Sequence, residues 1–115
     1  MPVLIDNPTL KDLQDHIKKI GEERGWDKNN YLEIFLLLSE EIGELAKAVR
    51  NYAGLYTEKN NLKNKFELEE EFADVLNYLF DLANCFDIDL ENAFRKKDKI
   101  NSERVWISKK KSSND

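Results

Sequence analysis

A chain of 115 residues with 36% charged residues, four Gly and two Pro has the composition of one helix-rich domain rather than a sheet protein or several domains. Its net charge of −5 argues against nonspecific nucleic-acid binding, and no apolar run approaches the ~18 residues a membrane span needs. The opening MPVLIDNP lacks the basic region of a signal peptide, and the lone Cys85 excludes an intrachain disulfide, so a soluble, cytoplasmic protein without membrane or nucleic-acid partners is expected.

Met1 to Pro8 reads as an extended lead-in. Thr9 with Asp12 three residues later signals a helix start, and Leu10, Leu13, Ile17 and Ile20 mark one apolar face of a first helix to about Glu23. His16 lies beside that face, where a lone histidine is more often structural or superficial than a ligand. Gly21 and Gly25 bracket the end of this helix, and a polar turn carrying Trp26 follows. The second helix is expected over about Asn30 to Tyr52. Ala53 to Lys65 has no sustained apolar stripe and reads as a connecting loop. A third helix follows over about Phe66 to Cys85, with Cys85 expected in the core rather than as a nucleophile. After a turn, Asp89 caps a fourth helix over about Leu90 to Ile107, with Asn92 at its third position. The domain is expected over residues 1–108, and the polar tail 109–115 is expected to be disordered.

Helices two and three each break their own apolar pattern. Leu38, Ile42, Leu45 and Val49 recur at helical spacing, as do Ile34, Leu37 and Ala48, and Glu41 and Glu44 fall within the second of these stripes. Likewise, Glu71 and Asp74 stand in line with Leu68 and Tyr78. Carboxylates three residues apart share a helix face. Burying four of them together is unfavourable, because each loses hydration and repels the others. A cation removes that penalty, and oxygen-only ligands suit Mg²⁺ or Mn²⁺. Ions so held bind phosphate oxygens and lower the pKa of a bound water. The bland alternative, a solvated acidic face, fits Glu40, Glu67, Glu69 and Glu70 better than these four. A di-iron bundle needs Glu-x-x-His motifs, and the single histidine has Leu13 three residues before it.

On helix four, Lys97, Asn101 and Arg104 share a face, and their donors suit phosphate and sugar oxygens; a plain basic outer face explains them about as well. The elements together imply an all-α, four-helix bundle. Phe35, Leu36, Phe72 and Phe80, lying on more than one face of helices two and three, suggest burial against a second copy, hence a homo-oligomer of at least two chains.

The pattern Glu41-Ile-Gly-Glu44, a gap of 26 residues, then Glu71-Phe-Ala-Asp74 resembles the MazG-like all-α nucleoside triphosphate pyrophosphohydrolases. The run from Glu40 to Leu45, Ala73-Asp74-Val75-Leu76 with Tyr78-Leu79, and the Lys-x-x-x-Asn-x-x-Arg of Lys97 to Arg104 carry the same resemblance over about Leu10 to Trp106. Glu23-Arg24-Gly25-Trp26 is similar to the segment before the first acid helix in the dCTP pyrophosphatase branch. Val105-Trp106 departs from the Tyr-Pro common in relatives, and Ala53 to Lys65 matches no part of the pattern. The resemblance implies Mg²⁺-dependent cleavage between the α and β phosphates of a nucleoside triphosphate, in dimers or tetramers. It makes Glu41, Glu44, Glu71 and Asp74 the catalytic metal ligands, gives phosphate and sugar to Lys97, Asn101 and Arg104, and gives the base to Trp26 and His16. A loop-anchoring role for Trp26 is an equal alternative. The leading expectation is a house-cleaning or pool-balancing pyrophosphohydrolase. Its alternatives are a phosphoribosyl-ATP pyrophosphohydrolase and a nucleotide-binding or helix-bundle interaction module without turnover.

Overall fold

The computed structural model describes residues 2–55 and 65–104. Four helices appear: α1 (Leu10–Arg24), α2 (Tyr31–Ala53), α3 (Lys65–Cys85) and α4 (Leu90–Glu103), with a 3-10 turn at Trp26–Lys28 between α1 and α2. The described residues contain no strand.

Local chemistry sets most of these boundaries. Thr9 Oγ1 accepts from the Asp12 amide at 3.1 Å and Asp12 Oδ2 accepts from the Thr9 amide at 3.0 Å, a complete capping box. Asn30 Oδ1 accepts from the Glu33 amide to start α2, and Asp89 Oδ1 accepts from the Asn92 amide to start α4. α1 ends on Gly25 at φ 76° and α2 on Gly54 at φ 75°, a left-handed backbone that glycine adopts without strain. Gly21 lies inside α1 and is buried. α4 stops at Glu103, four residues short of the expected end, because Arg104 is already extended. Residues 56–64 of the expected loop, Val105 to Ile107 and the expected tail lie outside the described residues.

α2 and α3 form the main antiparallel pair, and α1 packs across the second half of α3. Ile34, Leu38, Ala48, Phe80 and Ala83 make a small core. Phe80 is 2% exposed, so it fills this chain's own interior and is not one of the faces awaiting a second copy. Phe35, Leu36 and Phe72 are exposed as expected. Cys85 is exposed, not in the core, and borders a groove lined also by Ile17 and Gly21 of α1. Its thiol is nonetheless pushed up, by partial burial and then by the charge of Asp81, which disfavours the thiolate.

One buried polar residue joins three elements. Gln14 Nε2 donates to Asn84 Oδ1 at 2.9 Å and to the Ile88 carbonyl at 2.6 Å, while its Oε1 accepts from the Leu90 amide at 3.0 Å. Asn84 Nδ2 donates in return to the Gln14 carbonyl. This network pins α1 to the α3–α4 turn, where Asp87 adopts φ 53°. α4 then leans on α1, with Glu91 Oε1 accepting from the Lys11 amide, and it buries no residue of its own.

Candidate metal and nucleotide site

The inward stripe of α2 runs Ile34, Leu38, Glu41, Leu45, Ala48, so Glu41 takes a position otherwise held by apolar residues. The two stripes read from the sequence thus merge: Leu38 and Leu45 turn inward, while Ile42 and Val49 are exposed. On α3 the facing stripe is Leu68, Glu71, Val75, Tyr78. Where they meet, one carboxylate oxygen each from Glu41, Glu71 and Asp74 lies within 4.8 Å of the others. Glu44 is exposed and stands outside this trio, although its charge acts on Glu41.

The electrostatics are those of crowded anions. Glu41 is held above the usual carboxylate range, first by loss of solvent and then by the charges of Asp74, Glu71 and Glu44. Glu71 Oε2 is buried and has no hydrogen-bond partner among the described residues. A buried carboxylate oxygen without a donor needs either a proton shared with a neighbour or a cation. The donor set fits a hard divalent ion: it is all oxygen, drawn from two helices, and open on the Asp74 side. Tyr78, one turn beyond Asp74, has its hydroxyl pushed up by burial and then by Glu41, Asp81 and Asp74, so it remains a neutral donor.

Beside the trio opens a cavity of about 440 Å³ between α1, α2 and α3, within the size range of small-ligand sites. Asp74 forms its edge, Ile17, Ile34 and Leu37 its apolar wall, and Trp26 its rim. Trp26 is 53% exposed and the Arg24 guanidinium lies 4.9 Å from its ring centroid, a cation–π contact that steadies the indole. Asn77 and Asp81 complete the polar side. Burial pushes the Asp81 carboxyl up to about 6.

The expected site residues divide into groups. Glu41, Glu71 and Asp74 converge, and Trp26 borders the adjoining cavity. His16 lies in a different groove with Pro2, Val3 and Lys19, so the fold does not bring it to Trp26. Lys97 and Asn101 are exposed on α4 and Arg104 is exposed just past its end, in extended backbone that takes it off the helical face shared by the other two; none of the three lines this cavity. Arg24, Asn77 and Asp81 were not anticipated from the sequence. Asn77 and Asp81 carry a legible signal, however, since they continue the face of Asp74 at one and two further turns.

Residues 29–104 match the model of the MazG nucleotide pyrophosphohydrolase domain. The chain belongs to the MazG family. Two uncharacterized Bacillus subtilis (strain 168) proteins are similar to it: YvdC, 33% identical over 75% of this chain and 86% of its own length, and YpjD, 38% identical over 77% and 79%. The crystal structure of Bacillus subtilis YpjD, described as that of a candidate pyrophosphatase, superposes with a TM-score of 0.64 at 35% identity. It covers 87% of this chain and all of that one. The four-helix, all-α architecture is therefore that of a MazG-like protein, and the family places the chain among pyrophosphohydrolases. No described helix is long and apolar enough to cross a membrane.

Proposed function

We propose that this MazG-family chain hydrolyses nucleoside triphosphates to the monophosphate and pyrophosphate, with Mg²⁺ (or Mn²⁺) held by Glu41, Glu71 and Asp74. One observation carries the reading: three carboxylates from two helices converge, and one of them, Glu71, has a buried oxygen, Oε2, without a hydrogen-bond partner among the described residues. A divalent ion bound there supplies Lewis-acid polarisation of phosphate oxygens and a water of lowered pKa. The chain's own residues do the rest. Glu44, exposed beside the trio, orients the attacking water; the cavity next to Asp74 takes sugar and base, with Trp26 at its rim.

Lys97, Asn101 and Arg104 hold the phosphates in an assembled oligomer, because α4 leans on α1 in the single chain. Exposed Leu32, Phe35, Leu36 and Phe72 support assembly.

The test is pyrophosphate release from canonical and modified triphosphates and from phosphoribosyl-ATP, with Mg²⁺ and with EDTA. Turnover that needs the metal and is lost in Glu71→Gln and Asp74→Asn supports the reading. Turnover of phosphoribosyl-ATP alone, or none from a folded protein, refutes it.

A further inference from the structure

The cavity beside the carboxylate trio has a polar end that the proposed phosphate chemistry does not use. Asp81 sits there, two helical turns beyond Asp74 on the same face of α3 and so about 10 Å along the axis. A triphosphate engaged at Asp74 and extending along this wall has room for its ribose, and the edge of its base then arrives at Asp81. The opposite wall, Ile17, Ile20 and Leu37, is apolar and suits the face of a ring.

Asp81 is half-buried and has no hydrogen bond or ion pair among the described residues. Loss of solvent is the sole cause acting on its carboxyl, with no cation or donor offsetting it. A carboxylate kept in a cavity without a partner is poised for a ligand's donor. When ionised it only accepts, and it therefore distinguishes base edges. An exocyclic amine (N4 of cytosine, N6 of adenine, N2 of guanine) donates to it, whereas a carbonyl oxygen in the same place sets lone pair against lone pair. Asn77, one turn nearer the trio, offers both a donor and an acceptor and does not by itself choose.

We propose that Asp81 is the specificity-determining residue of this cavity, accepting a hydrogen bond from the exocyclic amine of a nucleobase, so that the chain takes amino-bearing bases in preference to their keto counterparts. The inference rests on the proposed nucleotide site and adds the class of base it selects.

The test compares kcat/KM for CTP against UTP and ATP against ITP, in the wild type and in Asp81→Asn. The asparagine keeps the shape but can also donate, and so admits a keto oxygen. The wild type is expected to favour CTP and ATP by about 10-fold or more, the scale of one good base-edge contact. Asp81→Asn is expected to narrow both ratios to within about threefold, chiefly by raising the rates on UTP and ITP. That gain is one that a folding defect cannot produce. Asp81→Leu, which offers neither group, should lower the amino substrates without raising the keto ones. Equal rates in the wild type, a keto preference, or ratios unchanged in Asp81→Asn would overturn the proposal.

Titration calorimetry with AMP against IMP, in EDTA, separates the two readings. A preference for AMP that Asp81→Asn abolishes, in a protein that turns over no triphosphate, upholds base selection while removing the proposed activity. Turnover of all four triphosphates at matched rates does the reverse.

Discussion

Neutralising Glu41 should stabilise the metal-free protein and abolish its response to Mg²⁺. In Glu41→Gln one of three carboxylates, mutually within 4.8 Å, loses its charge while its shape is kept. At that separation a pair of like charges repels by about 1 kcal/mol in water and about 3 kcal/mol at the effective dielectric of a protein surface. Glu41 faces two such partners, with Glu44 further out, but the site is open on one side, so the screened gain is about 1–2 kcal/mol. For a domain of this size that is a rise in Tm of about 4–8 °C in EDTA. The same repulsion makes the wild type a metal sensor: Mg²⁺ at about 100 times its Kd adds about 2.7 kcal/mol, which the variant should lack. Urea unfolding followed by far-ultraviolet circular dichroism, at one fixed protein concentration, reads both effects. The expected pattern is a crossover, with the variant more stable in EDTA and the wild type more stable in Mg²⁺. A variant less stable in EDTA, or one that gains as much from Mg²⁺ as the wild type, would refute the reasoning. Acid offers the same test without mutation. The native-state pKa of Glu41 lies above its unfolded value, so this stability contribution is complete below the unfolded value of about 4.3 and is lost as pH rises through the native one. The metal-free protein should therefore gain stability on mild acidification, while its affinity for Mg²⁺ falls.

Gln14→Leu leaves Asn84 Oδ1, the Ile88 carbonyl and the Leu90 amide without their partner, which should destabilise the chain by about 2–4 kcal/mol and lower its urea midpoint. Asp81, raised to about 6, gives up stability as pH rises through that value. Asp81→Asn should accordingly be more stable than the wild type at pH 7.5 by about 1 kcal/mol after solvent screening, and indistinguishable from it at pH 4; a constant difference across that range would exclude burial of the charge as the cause. If the apolar face of α2 and α3 is an interface between copies, light scattering at micromolar concentration should give at least the dimer mass for the wild type and the monomer mass for Leu36→Glu with Phe72→Glu. A monomeric wild type would remove the assembly from the proposed function.

What the sequence alone determined is local. Thr9 with Asp12 and Asp89 with Asn92 announced two helix starts, because a cap is satisfied within four residues of itself. The pairing of Glu41 with Glu44 and of Glu71 with Asp74 was legible for the same reason: a period of 3.6 places such residues on one face whatever the helix packs against. Which of the four meet was not legible. Glu41 joins Glu71 and Asp74 while Glu44 stays in solvent, since the crossing of α2 on α3 sets the register between them and no residue spacing encodes that crossing. The other departures have the same origin. His16 follows Trp26 in expectation, yet α1 turns it into another groove. Lys97 and Asn101 share a face as read, but Arg104 leaves it because the helix ends at Glu103, and the Gln14 network directs α4 toward α1. Phe80 is enclosed whereas Phe72 and Cys85 are exposed, a difference set by how the helices pack and not by apolar spacing along α3. Asp81 reads in the chain as one more surface acid. Only the cavity closed by α1 and α2 removes its solvent and leaves it lining the space beside the carboxylate trio.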